Sequence, residues 1–198
     1  MKALLPAALA LAAALAPAGP ACAQTLPPDR PGVPYTIEFE FERFEAGYSE
    51  KGKRRIAVLG DVVRDQALSG DDRTVYIADR KSGTLIEFDP ADPAKRYRRG
   101  TLGETVMPMA DGYKPVAALQ GPPKVLGTAM VLGLPCTRLG WRGQGEDRQE
   151  WCVSAQGIVL SAERKAGLTG TKLKATRLQI GPPEPQSMVP PPGFLPAD

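Results

Sequence analysis

Apolar and polar residues alternate most cleanly over residues 35–42. Tyr35, Ile37, Phe39 and Phe41 fall on one side, and Thr36, Glu38, Glu40 and Glu42 on the other, which is the period of a strand buried on one face. The phase shifts at Arg43-Phe44, predicting a bulge or the strand end. Residues 50–55 read as a charged turn, and Ile56, Val58, Val62 and Val63 mark further short strands around Gly60. Residues 75–79 and 84–88 read as a hairpin around Arg80-Lys81-Ser82-Gly83. Its register places Ile77 opposite Ile86 and Val75 opposite Phe88, all on one face. Asp89-Pro90-Ala91-Asp92-Pro93 follows as a turn.

Residues 134–154 read as a second hairpin. The pairing that opposes Cys136 with Cys152 also opposes Arg138 with Glu150 and Arg142 with Glu146, leaving Gly143-Gln144-Gly145 as the loop. One face then carries Cys136, Arg138, Arg142, Glu146, Glu150 and Cys152, and the other Thr137, Leu139, Trp141, Trp151 and Val153. Directly opposed strand residues meet the Cα separation of a disulfide, so a Cys136–Cys152 bridge is expected. Upstream, residues 125–131 pair with residues 134–139 through Leu132-Gly133, which sets Leu126 beside Leu139 and Thr128 beside Thr137. Downstream, residues 158–164 and 171–180 are the last strands, separated by a turn at residues 168–170. Prolines at 108, 115, 122 and 123 exclude a long helix in residues 101–123, leaving room for a short one at 116–119. Many short strands between turn residues, without a strong helical period, predict a mainly β protein: a curved antiparallel sheet or half-barrel of roughly ten short strands with few or short helices.

The chain's ends change the picture. Residues 1–23 join Lys2, an Ala/Leu run and Ala21-Cys22-Ala23, the signature of a cleavable secretory signal peptide. Lipid attachment at Cys22 is the alternative, although the third residue upstream is Gly19 rather than Leu. Cleavage leaves 175 of the 198 residues and lowers the formal charge from +3 to +2. That balance excludes a long-range electrostatic argument for nucleic acid. Cys136 and Cys152 remain as an even pair in an oxidising compartment, and the Ala/Leu-rich signal indicates a bacterial periplasm. Residues 24–34 are an extended Pro-rich leader. Residues 35–196 are expected to be a single β domain closing with a Pro-rich segment that Phe194 anchors to the sheet.

Candidate chemistry is sparse. With no histidine in the chain, Ser-His-Asp and Cys-His catalysis and most zinc sites are excluded. Both mature cysteines belong to the disulfide. Glu38, Glu40 and Glu42 lie on the solvent face of one strand, a poor geometry for a glycosidase pair. Asp89 and Asp92 suit a turn better than a calcium site. No catalytic, cofactor or metal residue is assigned. The basic runs at residues 51–55 and 95–99 read as solvated turns, or as contacts for anionic lipid head groups or an acidic partner. The apolar residues Ile37, Phe39, Phe41, Ile77, Phe88, Leu139, Trp141 and Trp151 have two readings: ordinary core, or the lining of an apolar ligand face on a curved sheet.

TVYIADRKSGTLIEFDP, KVLGTAMVLGLPCTRL, EWCVSAQGIVLSAE and the closing VPPPGF follow one another in this order, within a resemblance that reaches over residues 35–194. Together they resemble the periplasmic lipoprotein-carrier-like superfamily of LolA-type and RseB-type β half-barrels, and within it the uncharacterised domains that lack long amphipathic helices. The resemblance implies an incomplete antiparallel barrel whose concave face holds acyl chains or a protein ligand. The function expected is a non-enzymatic periplasmic binding module for lipid-like or other apolar ligands. Its partners would be lipid, lipoprotein acyl chains or another envelope protein. The alternative is an envelope interaction module without a small-molecule ligand.

Overall fold

The computed structural model describes residues 26–69, 73–102, 121–143 and 147–197. The strands are β1 (Tyr35–Glu45), β2 (Tyr48–Leu59), β3 (Val62–Ala67), β4 (Val75–Asp79), β5 (Thr84–Phe88), β6 (Arg96–Thr101), β7 (Lys124–Val131), β8 (Leu134–Arg142), β9 (Arg148–Ser154), β10 (Val159–Ala166), β11 (Thr169–Ile180) and β12 (Leu195–Pro196). They form one open curved sheet in the order β12-β6-β5-β4-β3-β2-β1-β11-β10-β9-β8-β7. Two meanders therefore meet in the middle. β1 to β6 step outward to one edge, and β7 to β11 step inward from the other, so β1 pairs with both β2 and β11. Only the two-residue β12 runs parallel to its neighbour, β6. The one helical element among the described residues is a 3-10 turn, Pro185–Met188. The half-barrel expectation of roughly ten strands is met with twelve.

The alternation of β1 sets the two faces. Tyr35, Ile37 and Phe39 are almost fully buried, while Glu40 is exposed. The strand does not end at Arg43-Phe44. It continues to Glu45, and the register shift lies at Glu38/Phe39 against β11. The basic run at 51–55 is likewise strand rather than turn. The turn is Ala46-Gly47, both at positive φ, the geometry that suits a two-residue hairpin loop. Register explains the correction: Lys51, Lys53 and Arg55 stand opposite Glu42, Glu40 and Glu38, while Lys172, Lys174 and Arg177 flank the same carboxylates from β11. The result is three rows of cation, carboxylate, cation. Lys51–Glu42 at 3.2 Å, Lys53–Glu40 at 3.6 Å and Arg55–Glu38 at 2.7 Å close one side of each row. Exposed pairs of this kind contribute about 0.2–1 kcal/mol each. Of the run at 95–99, Arg96 to Arg99 are also strand, in β6, and Lys95 belongs to the turn before it, at positive φ.

The β4–β5 hairpin has the expected register, Ile77 opposite Ile86 and Val75 opposite Phe88. Asp79 fastens its turn, accepting hydrogen bonds from the Lys81 and Ser82 amides and the Ser82 hydroxyl. In the following turn Asp89 and Asp92 accept backbone amides of Ala91, Ala94 and Arg96, which is the turn role rather than a calcium site. Phe194 anchors the C-terminal segment, its ring T-shaped on Phe88 at 5.2 Å.

The cysteine hairpin departs from its expected register by two residues. Cys136 opposes Ser154, Cys152 opposes Arg138, and Gly140 opposes Glu150. A shift of two keeps every side chain on its expected face, but the loop is longer: the Gly143 amide bonds the Asp147 carbonyl at 2.9 Å. The cystine forms nonetheless, diagonally, with Cα atoms 5.3 Å apart. Arg138 reaches Glu150 diagonally as well, at 2.7 Å. The expected partner of Arg142, Glu146, lies outside the described residues, as do residues 1–25 with the expected signal peptide and the short helix expected at 116–119. A second correction concerns Leu126. A bulge between Val125 and Gly127 makes Val125 the partner of Leu139, and Leu126 leans over Gly140, where a Cβ would come 2.8 Å from its Cδ1.

Two outcomes are expected. Replacing both Cys136 and Cys152 with serine lowers stability by about 3 kcal/mol, the chain-entropy value for a loop of this length, measured by urea denaturation. Hydrogen bonds to Asp79 favour its ionised form, with those from Ser82 the largest cause, and hold its carboxyl below the usual carboxylate range. The stability linked to this turn is therefore fully present above that range and lost as pH falls through the depressed value. NMR-detected protection of the Lys81 and Ser82 amides, taken relative to the intrinsic exchange rate at each pH, will fall only at such acidic pH. Loss of that protection already at neutral pH, or none in strong acid, contradicts this role.

Candidate functional site

The eight residues expected to line an apolar face do not all share one. Direct pairing runs from Leu139 through Trp151, Ala162 and Leu173 to Phe41 without a register break. Phe39 and Ile37 follow Phe41 at two-residue steps, and Trp141 follows Leu139. These six share the face opposite Glu38. Ile77 and Phe88 lie on the other side of the sheet. Phe88 pairs with Val75, Val75 with Gln66, Gln66 with Arg55, and Arg55 with Glu38. The sequence pattern missed this because each hairpin looks two-faced by itself, and only long-range register relates one hairpin's faces to another's.

Burial follows the same division. Ile37 and Phe39 belong to a cluster with Tyr35, Ile56, Val58, Val63 and the cystine. Leu139, Trp141 and Trp151 form a second with Val153 and Val159, and Leu173 packs against both. Ile77 and Phe88 form a third with Val75, against which Phe194 packs. Seven of the eight are buried, between 0% and 4% exposed. The exception is Phe41, which is half-buried. Its ring lies over Gly52, directly opposite on β2, where a Cβ would meet Phe41 Cε1 at 2.5 Å. Glycine at 52 is thus what allows a large ring at 41.

Phe41, Gly52 and Leu173 line a groove of about 460 Å³, with Glu40, Lys53 and Lys174 among its other residues. This volume lies within the roughly 300–1,000 Å³ range of small-molecule sites. A second groove, about 480 Å³, involves Trp141, Leu126 and Gly140 together with Arg142, Arg148 and Glu163. Trp141 and Trp151 meet edge-on at 6.3 Å. Trp141 Nε1 donates to the Gly121 carbonyl at 3.3 Å, whereas the buried Trp151 Nε1 has no partner among the described residues. An unmet buried donor costs about 1–3 kcal/mol, which the packing of the two rings must offset.

One charged pair interrupts the apolar face, and sequence reasoning missed it. Arg54 stands opposite Phe39, and Asp65 opposite Ile56. The Arg54 guanidinium binds Asp65 with both a 2.9 Å and a 2.8 Å hydrogen bond. Asp65 is 4% exposed. The signal was present in the alternation of β3, where Val63, Asp65 and Ala67 share a face. The carboxylates of Glu38, Glu40 and Glu42, in contrast, are each matched with cations on neighbouring strands, a structural arrangement and not an acid–base pair. Among the described residues no group of His, Cys, Asp or Glu could hold a metal ion.

No protein-family model matches the chain, and no curated protein matches it by sequence. Solved structures do match. An uncharacterized conserved protein from Thermus thermophilus is 11% identical, with a TM-score of 0.57 over 83% of this chain and 90% of that one. MucB is 16% identical, with a TM-score of 0.54 over 81% of this chain and 58% of MucB. The MucA/MucB complex of Pseudomonas aeruginosa gives 17% identity and a TM-score of 0.50 over 81% of this chain and 56% of that one. The chain shares the fold of MucB and of the Thermus thermophilus protein. Within that fold, this chain spans little more than half of MucB. The likeness extends to architecture alone, so the site must be argued from its own residues.

Replacing Asp65 with alanine should lower stability by roughly 2–3 kcal/mol. It leaves Arg54 without its counter-charge inside the apolar face, and the half-exposed Arg54 tip keeps the cost below that of a fully buried pair. A shift under about 1 kcal/mol in urea denaturation would show that water already screens the pair.

Proposed function

We propose that this protein is a non-enzymatic binding module of the bacterial periplasm, delivered by a cleavable signal peptide, whose Phe39 face accepts a lipid-like or other apolar ligand. The carrying observation is the half-buried Phe41 beside Leu173 in a groove of about 460 Å³, which the lysines and glutamates of the charge rows also line, on a face of mainly buried apolar residues that the Arg54–Asp65 pair interrupts. Burial of apolar ligand surface at Phe41 would supply the affinity, at about 25 cal/mol per Å² before the costs of association. The cystine supports an oxidising compartment. The LolA/RseB-like fold supports an envelope role, since one protein sharing it was solved as a complex between MucB and MucA.

That complex also keeps a second reading alive, an envelope protein interaction without a small ligand. The observation favouring it is the edge hairpin of β7 and β8, where Leu126, Met130, Leu132 and Leu134 are 37–64% exposed. Strand edges with exposed apolar side chains are templates for pairing with another chain.

Native mass spectrometry of protein purified gently from an envelope fraction separates the readings. Co-purifying lipid supports the first, and a fluorescent fatty acid should then bind wild type at least about tenfold more tightly than Phe41→Asp, because the new carboxylate would be desolvated by the ligand. Protein free of lipid that carries an envelope protein, with fatty-acid binding unchanged in Phe41→Asp, supports the second.

A further inference from the structure

The Glu38 face carries a third groove, of about 470 Å³, that shares no lining residue with the groove at Phe41. Its floor is small: Thr36 and Ala57 are direct partners across β1 and β2. Three arginines rise around that floor from three strands. Arg177 on β11 and Arg55 on β2 flank Glu38 from opposite sides, and Arg64 on β3 stands opposite Ala57. Gln66 and Gln179 add amide groups, and the segment containing Pro182, Glu184 and Ser187 closes one wall.

The three guanidiniums are differently committed. Arg55 is spent on Glu38, at 3.0 and 2.7 Å. Arg64 holds the wall in place, donating to the Ser187 carbonyl at 2.7 Å and to Gln66 Oε1 at 3.3 Å while lying 5.8 Å from the Phe88 ring centroid. Arg177 is exposed and makes no hydrogen bond or ion pair with any described residue. Against three guanidiniums the groove sets two carboxylates, Glu38 and Glu184. One positive charge is left over.

We propose that this groove binds one phosphate-type oxyanion, as inorganic phosphate or as a phosphate ester, with Arg177 as the principal ligand. The one to two negative charges of such an anion at neutral pH answer the leftover positive charge. A tetrahedral anion can accept from Arg177 and still offer oxygens to the other donors that line the groove, Gln66, Gln179 and Arg64, whereas a carboxylate satisfies one planar fork. Burial first, and the neighbouring Arg55 second, hold the Arg64 guanidinium below its usual pKa, so an anion entering beside it would favour its charged form.

Calorimetric titration of the full chain with inorganic phosphate, in a phosphate-free buffer of low ionic strength, tests the site. Arg177→Gln should weaken binding about tenfold or more, the scale of a lost hydrogen bond to a charged group. Arg98→Gln, the same charge change on the distant β6, should leave it intact, with both variants keeping the wild-type melting temperature. Vesicles distinguish the source. If phosphatidylcholine vesicles bind only when phosphatidylglycerol is included, and only with Arg177 present, the anion is a lipid headgroup. Binding of inorganic phosphate without vesicle binding assigns a free phosphate. The proposal is overturned if neither probe binds, if Arg177→Gln binds like wild type, or if only a polyglutamate peptide binds.

Discussion

The pairing of β1 with β11 is the constraint on which the sheet depends. These strands are separated by more than a hundred residues, yet their ladder runs from Tyr35 opposite Ile180 to Glu45 opposite Thr169. Without it the chain would be two meanders, each with one more open edge. Its register is fixed by chemistry on both faces. A slip of one residue would carry Glu38 and Glu40 into the cluster that holds Tyr35, Ile37 and Phe39, and would replace three cation–carboxylate–cation rows with apolar residues facing lysines. Burying unpaired carboxylates costs far more than exposed ion pairs return. The charge rows therefore act mainly by making the wrong register expensive, and only secondarily by stabilising the right one.

How much of this was legible depends on how far each inference had to reach along the chain. The β4–β5 hairpin was legible to the residue, because a short turn around Gly83 and two apolar pairs leave one solution. The first strand and the Phe194 anchor were legible for similar local reasons. The cysteine hairpin was legible in its faces and its covalent bond but not in its register. Cystine geometry tolerates a diagonal as well as a direct pair, so opposing the two cysteines was sufficient but not necessary. Bulges were invisible: Leu126 and the shift between Val159 and Ser161 depend on strand twist and on what crosses the sheet at that point. The run at 50–55 misled because dense charge resembles a turn, when it was the complement of carboxylates on the neighbouring strand.

The division of faces changes the meaning of the aromatic residues. Taken together they suggested one apolar surface. The register assigns Ile77 and Phe88 to the side covered by the C-terminal segment, where Phe194 already packs against their cluster. Of the rest, burial leaves Phe41 as the residue with room beside it. The same strands thus present different chemistry on their two sides: β1, β2 and β11 give Phe41, Gly52 and Leu173 to one groove and Glu38, Arg55 and Arg177 to the other. Because side chains alternate, substitutions at one set leave the other set's surface chemistry in place, so the two grooves can be altered separately.

The two edges of the sheet are treated unequally, and this bears on what the protein can bind. At one end β6 is capped by the parallel β12, through the Leu195 amide to the Lys95 carbonyl and the Ala197 amide to the Tyr97 carbonyl. The closing segment that does this also supplies the wall of the arginine groove, held by Arg64 to Ser187. Edge protection and groove formation are therefore one event: a chain cut before Pro182 would expose β6 and unmake the groove together. At the other end β7 relies on the bulge at Leu126, which disrupts regular pairing along the edge, and on the cystine that ties β8 to β9 behind it. The covalent bond sits one strand in from the edge that the chain's own tail does not cover. That position is physically apt, because fraying from an edge propagates strand by strand, and a cross-link between the second and third strands stops it where no tail does.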